Sequence, residues 1–328
     1  MNKRIIALGS SICMTAALVA ATQTATAPLA EAASYTPSST SYYILKYDAN
    51  WAYQEGVNLG RNKAYYVSGT QSFVVILNFA AMYLSGSTWY VTDLYGPDMT
   101  LASAGEMVYQ FGQGFWAGAG SDYSSTVLVG LGVNNSGGTV TSAAGAALAA
   151  QAKKSNDRFS QQNPRQSFIA GASDFEGWGY KQLPTSTAAT NWITGYMNYS
   201  GRPTFLNFGS ADGCSSKSYS DPCTGGLDKE TIWKVSWSGS AYPTPEIYNS
   251  TLAAQWKYLS LYAYKTHGVY FSFQGMMTEQ GACGSAAACP GRYNSPSDAW
   301  VQLYNQMSNF APTVGGTVLR NPTDIMYH

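Results

Sequence analysis

The sequence predicts an α/β protein on a parallel sheet, with a (β/α)8 TIM-type barrel as first choice and an open doubly-wound sheet as second. Three observations predict it. From residue 72 onward, short apolar runs of strand type alternate with longer stretches of helical spacing, the order produced when helices cross between parallel strands. Several of these runs end in Asn, Asp, Glu or Gln, as strands do where they open onto a polar face. The chain has 328 residues, enough for one barrel core and too many for most single sandwiches.

Lys3 and Arg4 precede an uncharged apolar or small stretch, 5–21, and Ala30-Glu31-Ala32 offers a small-x-small cleavage site. Residues 1–32 thus have the pattern of an export signal peptide. The Ser/Thr/Pro-rich 33–41 follows as a loose leader, and 42–328 as a single barrel domain in which 42–70 is an N-terminal decoration. Residues 42–47 suit a short strand, and 48–70 suit a helix and hairpin across the barrel bottom. No run reaches membrane-spanning length, so a secreted monomer without stable membrane insertion is expected.

The elements follow in order. Residues 72–79 are nearly continuous in apolar residues, as a buried strand is, and reach Asn78; 89–93 is a weaker strand. Residues 103–117 carry Met107, Val108, Phe111 and Phe115 at helical spacing. Residues 126–135 form a strand ending at Asn134 and Asn135, and the Ala-rich 141–159 a helix. The strand within 166–178 comes next, then a helix over 187–199 and a strand over 203–209. Residues 231–237 read as a strand from their Thr, Ile, Trp and Val content. A helix over 251–267 stops at Gly268, a strand spans 268–274, and a helix over 297–309 has Ser297 as N-cap. Six strands are convincing and two weak.

Charged residues make up 11 % of the chain and aromatics 14 %. Removing residues 1–32 takes two basic residues and one acidic from an 18/18 balance, leaving a net charge of −1. Nucleic acid and anionic membrane both call for basic patches, so neither is expected as a partner. Of the five cysteines, Cys214, Cys223, Cys283 and Cys289 lie beyond the leader. Four cysteines allow three connectivities; the local pairing 214–223 and 283–289 is preferred, in keeping with export. Zinc is disfavoured, because Cys-x-x-Cys spacing is missing and the chain has 2 histidines. No phosphate-binding Gly-rich loop or Gly-x-Ser-x-Gly elbow occurs, so no cofactor and no metal are expected.

The candidate chemistry lies in Ala170-Gly171-Ala172-Ser173-Asp174-Phe175-Glu176. Side chains two apart on a strand share a face, so two small residues and then two acids line one side. The pair suits general acid/base work on a glycosidic bond, with Glu176 as acid and Asp174 orienting the substrate or stabilising developing charge. The neighbouring Trp178 and Asp174 would raise the Glu176 pKa. Trp178 and, from other strand ends, Asn78, Asn134, Asn207, Asp212, Trp237 and Gln274 are candidate substrate contacts, since amides bind hydroxyls and indoles stack on sugar rings.

The Asp174-Phe175-Glu176 strand end resembles that of the glycoside hydrolase family 25 lysozymes. The resemblance covers one strand and the exported-barrel pattern. It implies a secreted β/α barrel cutting peptidoglycan glycan or another polysaccharide, with Glu176 as the acid and Asp174 as its partner. Those lysozymes carry acids at further strand ends, where this chain has Asn78 and Asn207. That departure keeps a second expectation open: a non-catalytic extracellular barrel that binds glycan or is associated with the envelope.

Overall fold

A computed structural model describes residues 38–92, 97–134, 138–162, 166–176, 185–269, 272–308, 319 and 321–328. Residues 1–32, expected above to be an export signal, lie outside the described residues, as do Trp178 and Asn135.

Strand β1 (Ser39–Tyr43) leads to helix α1 (Ala49–Leu59), N-capped by the Asp48 side chain on Trp51 N–H, and a π-helical turn, Gly60–Tyr65. Then come β2 (Ser72–Ser85), β3 (Thr88–Thr92), β4 (Met99–Thr100) and α2 (Leu101–Ala119). The β/α alternation continues through β5 (Thr126–Asn134), α3 (Ser142–Gln162), β6 (Ser167–Asp174), α4 (Ser186–Asn198), β7 (Phe205–Asn207) and α5 (Lys229–Trp237). It ends with β8 (Ala241–Pro243), α6 (Ser250–His267), β9 (Met277–Thr278), α7 (Gln280–Cys283), α8 (Pro296–Ser308) and β10 (Thr323–Tyr327).

Eight strands pair in parallel in the order β8-β7-β6-β5-β2-β1-β10-β9 and form one curled sheet. Beyond a register shift after Asn78, β2 continues outward and pairs antiparallel with β3. Ala80 at this break has φ +61°, a left-handed conformation that is uncommon for a residue with a Cβ.

The sheet separates two cores. On the inner face, Val74, Ile76, Leu128, Ala170, Ala172, Leu206, Met277 and Ile325 pack together, joined by Tyr43 and Tyr242, so every one of the eight parallel strands contributes. The larger core lies between sheet and helices and includes Phe73, Phe111, Phe115, Trp192, Phe205 and Trp256. Helices α1 and α2 cross at glycines: a Cβ on Gly114 would come within 1.9 Å of the Tyr53 carbonyl oxygen, and one on Gly56 within 2.0 Å of that of Phe111. Two of the α2 glycines that lower helix propensity, Gly114 and Gly118, are the ones that let the backbones touch.

The structure departs from several expectations. The leader gives way to strand at Ser39, and 42–70 is no decoration: β1 lies between β2 and β10 in mid-sheet, and α1 covers it. Of the expected strand 89–93, residues 89–92 belong to the antiparallel hairpin, and Asp93 lies outside the described residues. The 231–237 run is helical, because Asp228 caps it through Thr231 N–H at 2.7 Å and Ile232 and Val235 bury one face. Of the expected strand 268–274, the described residues 268, 269 and 272–274 form none, 270 and 271 lie outside the described residues, and the sheet takes up Met277–Thr278. Ser295, rather than Ser297, caps α8, accepting from Asp298 N–H at 3.1 Å. β8 and β10 fall where no strand is expected. Both local disulfides, Cys214–Cys223 and Cys283–Cys289, are present. Among the described residues no helix is long and apolar enough to cross a membrane.

Candidate active site

On the inner face, β5 offers Gly130, Gly132 and Asn134 in register with Ala170, Ala172 and Asp174 of β6. Their small size is required: a Cβ on Gly132 would meet Ile76 Cγ2 at 2.7 Å, and one on Gly130 would meet Ala172 Cβ at 3.1 Å. The inner layer is thus filled by side chains from neighbouring strands, and the polar residues come last, at the C-terminal ends. In register there, Asn134 Nδ2 donates to Asp174 Oδ2 at 3.0 Å.

Glu176 lies two residues further on, hydrogen-bonded to Glu246 and to the Ser210 hydroxyl and backbone N–H. Glu246 follows β8, bridges to Met277 of β9, and is buried, with Tyr248 hydrogen-bonded to it. Carboxylate oxygens of Asp174, Glu176 and Glu246 all lie within 4.8 Å of one another. Oxygen donors this close are also the type that a hard cation takes. Glu279, just past β9, forms the next layer, paired to Arg292 Nη1 at 3.0 Å. Asp324 of β10 accepts from Thr278 Oγ1 at 2.7 Å and Gly281 N–H at 2.8 Å.

Burial and mutual repulsion hold protons here. Burial above all, then the charges of Glu176 and Glu279, push Asp174 well above the usual carboxylate range. Glu246 is raised by burial and then by Glu176 and Asp174. Glu176 is raised by burial, against the opposing hydrogen bonds from Glu246 and Ser210. Asp212 is raised by burial and lowered in part by Arg292. Two carboxylates at such separations do not both ionise readily, so the cluster retains protons where an isolated carboxyl would not.

The expected site residues divide accordingly. Asp174, Glu176 and Asn134 are brought together, and Asp212 acts electrostatically on Glu176. Asn207 is not brought to the acid cluster. Strand alternation turns it to the helix side, where Nδ2 donates to Ser236 Oγ at 2.9 Å and Oδ1 accepts from Gly209 N–H at 3.2 Å. Asn78 is buried and its Oδ1 accepts from Ala80 N–H at 3.1 Å, supporting the break in β2. Trp237 sits on α5, edge-on to Trp256 and Phe273 in the outer core. Gln274 is half-buried in the approach to β9, and its backbone N–H donates to the Pro243 carbonyl at 2.9 Å.

Glu246 and Glu279 are absent from the sequence-based set. Glu246 follows Pro243-Thr244-Pro245, which breaks any strand pattern, and Glu279 ends a strand of two residues. Neither length supports a period; a polar residue directly after a short apolar run was the available signal. A cavity beside β1, lined by Ser39, Tyr42, Glu55 and Lys63 among others, includes none of these groups and has one carboxylate in its lining. No protein-family model and no curated protein matches the chain.

Proposed function

We propose that this chain is an exported glycoside hydrolase acting on cell-wall or other polysaccharide by carboxylate acid/base catalysis. The observation that carries the reading is the meeting of Asp174, Glu176 and Glu246, from two separate strand ends, with oxygens within 4.8 Å. Reactive groups of β/α barrels gather at such ends. The backbone bridge from Glu246 to Met277, between the two outermost parallel strands, and an inner core fed by all eight strands support a closed barrel.

Glu176 is the least buried of the three and acts as general acid, protonating the leaving oxygen. The Glu176 carboxylate left by that transfer, hydrogen-bonded to Glu246, then takes a proton from the water whose oxygen bonds to the anomeric carbon, which completes hydrolysis and restores the acid. Asp174, oriented by Asn134, stabilises the developing positive charge in the form of the cluster whose protons sit on Glu176 and Glu246 and leave Asp174 ionised. The close spacing lies nearer the roughly 5–5.5 Å of retaining enzymes than the roughly 6.5–9.5 Å of inverting ones. The two disulfides support an oxidising destination.

Release of reducing ends from peptidoglycan, chitin and neutral polysaccharides tests the reading. Glu176→Gln should lower the rate about 10²- to 10⁴-fold with an unchanged melting curve. Equal release by both proteins overturns it. Binding without release, equal in both proteins, would establish the second reading, a non-catalytic glycan-binding barrel, which is favoured by Asn78 and Asn207 at strand ends where the resembled lysozymes carry acids.

A further inference from the structure

Each disulfide loop begins a few residues after an acid that acts on the carboxyl cluster. Cys214 lies two residues past Asp212, and Cys283 four residues past Glu279. The second loop is the more informative. Glu279 precedes α7, and its carbonyl accepts from Cys283 N–H at 2.9 Å. The disulfide carries the chain across to Cys289, whose carbonyl accepts from Arg292 N–H at 3.1 Å. Arg292 Nη1 then returns to Glu279 Oε1 at 3.0 Å, so ion pair, helix turn and disulfide make one closed ring. Two outside contacts fasten it: Gly281 N–H to Asp324 Oδ2 at 2.8 Å, and Asn249 Nδ2 to the Gly291 carbonyl at 3.1 Å. The Arg292 side chain is 55 % exposed and that of Glu279 10 %. A mobile surface arginine would lose rotamer freedom in such a pair for little gain, unless its backbone were already held.

We infer that Arg292 is a positioning residue of the carboxyl cluster: clamped by the Cys283–Cys289 loop, it holds the Glu279 carboxylate against the Asp174–Glu176–Glu246 group. Glu279 interacts with one cation, several acids and two phenols. Arg292 opposes its burial, and Glu176 and Asp324 repel its charge. Asp174 and Glu246 feel Glu279 in turn, as do the phenols of Tyr43 and Tyr248. Arg292 also acts on Asp212, at the end of the other loop. Moving Arg292 therefore alters the charge that the proton-sharing acids face, with no need for it to touch a substrate. Its catalytic consequence rests on the glycosidase reading; the positioning itself does not.

The test is a carboxyl carbon NMR titration of the full chain, with thermal melting as the folding control. In Arg292→Gln the Glu279 midpoint should rise by about one pH unit, with Asp212 moving the same way, while Arg292→Lys should restore most of the shift. The double variant Cys283→Ala/Cys289→Ala should raise the Glu279 midpoint although Arg292 is still present, and Cys214→Ala/Cys223→Ala should not. A Glu279 midpoint unchanged in Arg292→Gln, or in the Cys283/Cys289 variant, overturns the inference. If the wild-type protein cleaves no glycan, the function proposed above fails while this titration keeps its meaning; if it cleaves, the pH profile of Arg292→Gln should shift with the titration.

Discussion

Asn207 and Asp174 end neighbouring parallel strands of one sheet, yet they do opposite work. Ser173 is the register partner of Asn207, so Asn207 shares the outward parity of Ser173, whose hydroxyl donates to the Val133 carbonyl at 3.2 Å. Asp174, one residue on, has inward parity and meets Glu176 and Glu246. Asn207 spends its amide on Ser236 and the backbone of the next turn. A polar residue at a strand end is therefore no evidence of function until its parity is known, and a shift by one residue exchanges the two faces.

Three experiments sharpen this contrast, beginning with the largest effect. Asp174→Asn should reduce glycan hydrolysis roughly a hundredfold or more, as loss of a charge-stabilising group does, with little change in melting temperature. An unaltered rate would remove Asp174 from the chemistry. Asn207→Ala should do the reverse: about 1–3 kcal/mol less stability in denaturant unfolding, from unpaired buried groups, with the rate of the folded protein close to wild type. A rate loss without destabilisation would return Asn207 to the site.

The smallest effect concerns pH. Asp174, Glu176 and Glu246 all have folded-state values raised by burial and, except at Glu176, chiefly thereafter by one another. Protons are then held more tightly in the folded than in the unfolded chain. Their contribution is fully present below the unfolded carboxyl range and is lost as pH rises through the folded values. Glu246→Gln, which removes one buried charge, should melt like wild type near pH 4 and higher than wild type near pH 8, by a few degrees. A gap that grows toward acid would contradict the proton-sharing picture.

Much of this arrangement was legible in the chain. Long periodic segments declared themselves: α3, α4, α6 and α8, and the apolar runs of β2, β5 and β6. Local cysteine spacing gave both disulfides. Asp174 and Glu176 were legible together because they ride on a strand long enough to have a parity. Trp237 misled because Thr, Ile, Trp and Val suit a strand, while the Asp228 cap made the segment helical. Gln274 misled because the strand forms three residues further on.

The sequence by itself determined where the long helices α3, α4 and α6 and the strands β2, β5 and β6 lie, which cysteines join, and that two acids share one face. Those properties follow from spacing and local hydrogen bonding, which operate over a few residues. Tertiary structure alone decided that Glu246 and Glu279 join those acids and that Asn207 does not. β8 and β9 are three and two residues long, too short to carry a pattern of their own, and partners supplied by distant parts of the sheet set both their course and the direction in which their last residues point.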